Sequence, residues 1–368
     1  MRPMDTPTRR LAALALALVL TACTSTGAPS APAAGDATPA GSRFPGALVS
    51  WDPGFDRIVS PGTPIETLAD GYDWTEGPAW IRGDGVDEGY LLFDDVPRNR
   101  MYRWSRDAGA ALFLTPSGYD GPPTDTLREA GANGLFAEPG GTVLLADSGS
   151  RLLARLDPAN KRKTLLVERF EGKRFNSPND VVRRADGRIF FTDPPYGLEG
   201  LAESPVKELP FSGVFRLDPD GSVHLLDDTL RFPNGIALSP DGDTLYVANS
   251  DEAHPVWMAY ALDAAGAVTA RRLFADAGDL MAEDAPGLPD GMSVAADGHI
   301  FATGPGGVIV FDPDGRRLGR IGGAGGPISN VEFGDDGRSL YMTADDRLLR
   351  IRLQVAGPGF QDPDGARP

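Results

Sequence analysis

The chain has 368 residues, 41% of them hydrophobic, enough for one large folded domain or two smaller ones with a real core. Its 46 glycines and 33 prolines are spread along its length, which excludes long helices as the main element and favours short strands joined by turns. A formal net charge of −17 argues against nucleic acid or an anionic membrane surface as a partner; it suits a divalent cation, although surface acidity also serves plain solubility.

The first 46 residues are expected to lie outside the fold. Arg9 and Arg10 precede an apolar run, Leu11 to Leu20, of signal-peptide length and too short to span a bilayer. The run ends in Leu-Thr-Ala-Cys and resembles a bacterial lipoprotein signal with its lipobox. That resemblance implies removal of residues 1–22 and a lipid on Cys23, the one cysteine of the chain. An ordinary secretory signal cut near Ala22 is the plainer alternative. A lone cysteine excludes an intrachain disulfide. Residues 23–46, rich in Ala, Pro, Ser and Thr, are predicted to form a flexible, disordered tether. The expected location is therefore periplasm-facing, in the outer membrane of a bacterium, since Thr24 rather than an aspartate follows Cys23. Contact with the membrane is expected through the lipid alone.

Between residues 47 and 356 one unit recurs: a glycine-bearing turn, then a short strand rich in Val, Ile, Phe, Tyr and Leu. In chain order it reads DEGYLLFDDVP, EPGGTVLLADS, ADGRIFFTDPP, SPDGDTLYVANS, AADGHIFATGP and DDGRSLYMTAD. Several copies lead into a second strand ending in LDP or FDPDG, so each unit is predicted to be a run of antiparallel strands joined by Asp-Gly turns. Six such sheets are most simply arranged radially, as an all-β, six-bladed β-propeller. Ala47 to Leu68 has no repeat of its own and is expected to supply an outer strand that closes the last blade. Residues 357–368 are expected to be a disordered tail.

Upstream of each turn lies another short apolar strand, with one polar residue at or before its start: TEGPAW, GANGLF, SPNDVV, FPNGIA, LPDGMS and ISNVEF. The polar residues are Glu76, Asn133, Asn179, Asn234, Asp290 and Asn330, one per blade. The first strand of a propeller blade lines the central channel, so these six are predicted to form a ring of oxygen-bearing side chains around one axis. Asn and Asp also form turns through side-chain hydrogen bonds, which would account for any one of them, but Glu76 is a poor turn former. The ring holds no Cys and no His, which disfavours zinc and copper, while calcium accepts mixed carboxylate, amide and water oxygens. Glu76 and Asp290 bring two negative charges to balance one divalent ion; without it they would repel and one would tend to protonate.

TEGPAW, FNSPNDVV with FTDPPYG, FPNGIALSPDGDTLYVANS and LPDGMSV together resemble the SMP-30/gluconolactonase/luciferin-regenerating-enzyme-like family, over most of the chain from about Asp73 to Arg350. The resemblance implies the same six-bladed propeller. It places the ligands of a catalytic divalent cation, calcium first with zinc, manganese or magnesium as alternatives, on Glu76, Asn234 and Asp290. Asn179 matches a position that ligates the ion directly or reaches it through water and substrate. Animal members carry an arginine close before that asparagine, where this chain has Asn176, Ser177 and Pro178. That departure leaves the substrate open.

Family members hydrolyse lactones of sugar acids, and some relatives cleave organophosphates. The expected activity is a gluconolactonase-like opening of a small-molecule lactone. The cation would polarise the carbonyl and Asp290 would assist attack by water, with direct attack by its carboxylate as a variant. Asn179 is expected to orient the carbonyl or the water. Asn133 and Asn330 are candidates for substrate hydroxyls, and Tyr196 and Asp193 of FTDPPYG for the mouth, the plainer alternative there being a strand end and a Pro-rich turn. A phosphotriesterase-like hydrolase and a non-catalytic, calcium-stabilised binding propeller are the alternatives. Other chemistries find no motif: there is no G-x-S-x-G elbow, no H-E-x-x-H and no phosphate loop, and the three histidines read as structural.

Overall fold

The computed structural model describes residues 42–43, 47–83, 89–281, 283, 285–322 and 326–360. The expected signal, lipidated Cys23 and most of the tether lie outside these residues, as does the end of the tail from 361.

Six antiparallel sheets follow one another along the chain. Blade one is Thr75–Arg82, Gly89–Asp95, Arg100–Ser105 and Gly109–Leu114, and blade two is Leu135–Ala137, Val143–Asp147, Leu152–Asp157 and Arg162–Val167. Blade three is Val181–Arg183, Ile189–Asp193, Gly213–Leu217 and Val223–Asp227. Blade four is Pro233–Leu238, Thr244–Asp251, His254–Leu262 and Val268–Asp276. The repeat motif forms the second strand each time. Val143–Asp147, Ile189–Asp193 and Ile300–Gly304 are buried at every position. Such strands are covered on both faces, so they read as unbroken apolar runs rather than as alternations. Outermost strands are the reverse; Arg162–Val167 has no fully buried residue.

Closure uses the start of the chain. Blade six, Asn330–Gly334, Ser339–Ala344 and Arg347–Arg352, takes Glu66–Asp70 as its outer strand. Leu349 pairs with Thr67, and the Arg350 guanidinium grips the Glu66 carboxylate at 2.6 and 2.9 Å. Blade five, Met292–Val294, Ile300–Gly304, Gly307–Phe311 and Arg317–Gly322, gains Ala47–Ser50 at its edge. The closing segment was therefore foreseen, and it serves two blades instead of one. Two expected boundaries are corrected. Ser42–Arg43, placed in the tether, pairs with Glu66–Asp70. Residues 357–360, placed in the disordered tail, pack on the fold, with Gly357 N–H bonded to Gly337 O and Phe360 against the blade-six core.

Among the described residues the buried apolar side chains fall into six clusters, one between each pair of neighbouring blades. Phe191, Phe175 and Phe215 pack between blades two and three, and Trp80, Trp104 and Tyr341 between blades one and six. The core is thus a set of wedges, which leaves the axis to the innermost strands. These strands neighbour one another cyclically, the last against the first.

Candidate active site

At four of the six blades a glycine follows the ring residue and lets neighbouring innermost strands approach. A Cβ on Gly77 would lie 2.0 Å from Asn133 O of the next blade, and one on Gly235 would lie 2.2 Å from Asp290 O. Both are impossible contacts, so the Glu-Gly and Asn-Gly pairs exist because only a bare backbone lets neighbouring ring residues approach. A second device recurs at the end of the second strand, where a hydroxyl reaches the next blade. Ser148 Oγ donates to Pro178 O at 2.7 Å, Thr192 Oγ1 to Asn234 O at 2.6 Å and Thr303 Oγ1 to Ser329 O at 3.1 Å. Ser250 Oγ donates to Pro289 O and accepts from Asn234 Nδ2 at 2.9 Å. These hydroxyls were missed in the sequence, although the Ser or Thr near the end of ADS, FTD, ANS and ATG is a legible signal.

All six ring residues sit where the repeat puts them, at or within two residues of the start of an innermost strand. Glu76, Asn133, Asn179, Asn234 and Asn330 are buried. Asp290 is partly exposed. Burial first, then the charges of Asp180 and Glu129, push the Glu76 carboxyl up to about 8, against the Gly77 N–H at 3.1 Å and the Asn330 amide. Asp290 is raised well above the usual carboxylate range by burial, then by Glu76 and Asp180. The charge of Glu76 thus reaches Asp290 where burial disfavours the charged form of both. Asn234 engages its amide nitrogen with Ser250, which leaves its amide oxygen for the axis. Carboxylate and amide oxygens without sulfur or imidazole are the donor types that a hard divalent cation takes, while no cluster of three or more Asp, Glu, His or Cys able to hold a metal occurs among the described residues.

The structure adds one acid to the ring. Asp180 stands where four other blades carry glycine, and its carboxylate accepts from Val181 N–H at 2.9 Å and from Ile236 N–H of the next blade at 3.1 Å. Burial still pushes it up to about 7. The break of the Asn-Gly pattern at Asn179–Asp180 was the signal for it.

Two expectations are corrected here. Asp193 does not line the mouth: it is 0% exposed, and its carboxylate accepts from the backbone N–H groups of Asn176 and Ser177, both at 2.8 Å. It clamps the FNSPND turn to its own blade. Asn330 was assigned to substrate hydroxyls, but its amide lies between the Glu76 and Asp180 carboxylates and favours the charged form of both. Its Oδ1 accepts from Val331 N–H at 2.8 Å. Asn133 lies in the ring as expected. Tyr196 stacks on Phe232 at 5.4 Å and 16°, with its hydroxyl 3.4 Å from Ser250 O and near enough to Asp290 to feel its charge. None of the three histidines lies on an innermost strand; His224 and His299 pair with Asp218 and Asp297.

Residues 74–346 match the family described as SMP-30/Gluconolactonase/LRE-like region. A gluconolactonase of Zymomonas mobilis is 43% identical over 315 residues, 85% of this chain and 87% of that protein. A pentonolactonase of Haloferax volcanii is 33% identical over 276 residues, 73% of this chain and 80% of that protein. Among solved structures, a gluconolactonase of Xanthomonas campestris superposes with a TM-score of 0.71 at 31% identity, covering 86% of this chain and 99% of that one. With a repeat, a closed ring of blades and a match across most of its length, the chain belongs to the SMP-30/gluconolactonase/LRE-like family.

Proposed function

We propose that this family member hydrolyses sugar-acid lactones at the axial ring, with Glu76, Asn179, Asn234 and Asp290 holding one divalent cation, calcium first. The observation that carries the reading is the pair of ring carboxylates, Glu76 and Asp290, at equivalent places on two blades, both raised by burial, with the charge of Glu76 raising Asp290 further. When bound, the cation supplies a Lewis acid for the lactone carbonyl. Asp290 is the ring carboxylate that is not fully buried, and we assign it to take the proton of an attacking water. Asn179, a ring residue of blade three, is assigned to orient that water or the carbonyl. Tyr196 and Phe232 form a flat wall against which a six-membered ring can lie. Water adds to the acyl carbon, the acyl–oxygen bond breaks, the ring oxygen leaves as a hydroxyl, and the product acid releases a proton.

That proton makes the test direct. In a pH-stat, purified protein with calcium is expected to open glucono-1,5-lactone above the spontaneous rate. EDTA is expected to abolish the enhancement, and Asp290→Ala to lower kcat by about 10³-fold with the fold intact. Activity on a phosphotriester but on no lactone would favour the first alternative. Loss of thermal stability in EDTA with no activity on either would favour a structural ion.

A further inference from the structure

Glu129 was not among the residues singled out by the repeat, because it lies in a loop between blades one and two. Three contacts fix its backbone. Leu127 forms an antiparallel bridge with Leu198 of the FTDPPYG loop; Arg128 N–H and Glu129 N–H reach Gly197 O at 3.0 and 3.4 Å; and Glu199 N–H bonds Thr126 O at 3.0 Å. Gly197 N–H is itself anchored by Ser177 Oγ at 2.9 Å. Two loops from different blades are thus joined into one rim that carries Glu129 on one side and Tyr196 on the other.

The Glu129 side chain is 14% exposed, and its ionic neighbour, Arg128, approaches only to 3.5 Å, long for a charged hydrogen bond. Arg128 itself is half exposed. Burial raises the Glu129 carboxyl, and no hydrogen bond among the described residues offsets this. Its charge is felt by Glu76, Asp290 and Tyr196, so the loop brings the carboxylate near the ring. A fixed backbone, a sheltered carboxylate and unused acceptor capacity are what a site needs to recognise donors on a ligand. A hydrocarbon ligand would leave that carboxylate desolvated and unpartnered, which is a penalty; a polyol would satisfy it.

We propose that Glu129 is a specificity-determining residue that selects polyhydroxylated lactones by accepting hydrogen bonds from substrate hydroxyls, an assignment that rests on the lactone-hydrolase reading above. The test uses the calcium-loaded protein with Glu129→Ala and Glu129→Gln, both checked by thermal melting. For glucono-1,5-lactone, Glu129→Ala is expected to lower kcat/KM by about 10- to 100-fold, mostly through KM, with Glu129→Gln between it and the wild type. For δ-valerolactone, which carries no hydroxyl, the change is expected to stay below about threefold. Equal losses on both lactones would show that Glu129 acts only through the charge of the ring and would overturn the proposal, as would no loss on either. Calorimetric titration with 1,5-anhydroglucitol, a ring polyol that cannot be hydrolysed, supplies a second reading independent of turnover. Weaker binding by Glu129→Ala supports the assignment; equal binding, or none by the wild type, overturns it. A wild type that opens neither lactone would overturn the hydrolase reading, and the calorimetric comparison would still decide for or against Glu129.

Discussion

The two ends of the axial channel are built on opposite principles. At the mouth, Glu129, Tyr196 and Asp290 project from rigid backbone with polar capacity left over. At the far end, a cavity of about 120 Å³, lined by Asp180, Asn330, Glu332 and Pro358, is capped by the C-terminal segment. There the Arg82 guanidinium donates to Gly359 O at 2.7 Å and to Pro358 O at 3.2 Å and lies 3.9 Å over the Phe360 ring. Ala296 N–H of blade five bonds Ala356 O at 2.8 Å, so the segment crosses from blade five to blade one. Arg82 also opposes the rise that burial imposes on the Glu332 carboxyl, which stands at about 8. At one end an arginine and the C-terminal segment pack across the channel; at the other, carboxylates are left short of partners. An unmet polar group costs stability, so it is expected where a ligand meets it.

The largest expected effect tests the end whose carboxylates are short of partners. Glu76, pushed up to about 8 by burial and like charge, holds its proton through neutral pH in the ion-free protein. A cation must displace the protons that Glu76 and the likewise raised Asp290 hold, so apparent calcium affinity should rise at least about tenfold per pH unit between pH 6 and 8. Chelator-competition titrations at several pH values measure this, and a flat profile would remove Glu76 from the ligand set. Stability carries the matching sign. A folded-state pKa raised above the unfolded value contributes most below the unfolded value and loses that contribution as pH rises through the folded one. Ion-free protein should therefore melt at a lower temperature at pH 8 than at pH 5, and calcium should narrow the gap.

A smaller effect concerns what holds the ring. Gly235→Ala forces a methyl into Asp290 O and is expected to destabilise the protein by about 1–3 kcal/mol in chemical denaturation, while also lowering kcat. Unchanged stability would mean that the blades yield at no cost and that the glycine has another purpose. The smallest effect belongs to the closed end. Arg82→Ala, at a largely exposed position, should cost about 1 kcal/mol or less and leave kcat/KM unchanged. A loss of activity there would break the division of labour between the two ends.

Much of this was legible before any coordinates. The repeat carried the blade count, because a strand covered on both faces must be apolar throughout and a turn must carry glycine. The ring residues followed from their place, one polar residue at each blade entrance, and at four of the six a following glycine admits the next blade. Asp193 was misplaced because Thr-Asp-Pro-Pro at a strand end looks the same whether the carboxylate faces solvent or caps a turn. Asn330 shared its spacing with the other ring residues but not its neighbours, the two carboxylates that claim its amide.

By itself, then, the sequence determined the period, the strands and the polar residue that each blade presents to the axis, because these depend on local geometry repeated six times. Tertiary structure alone decided which loops meet over the mouth and which segment closes the far end. Glu129 comes to the ring through a bridge between Leu127 and Leu198, and the closing segment through an arginine on the first blade. Such pairings depend on the closure of the whole ring, and neither partner carries a local pattern that names the other.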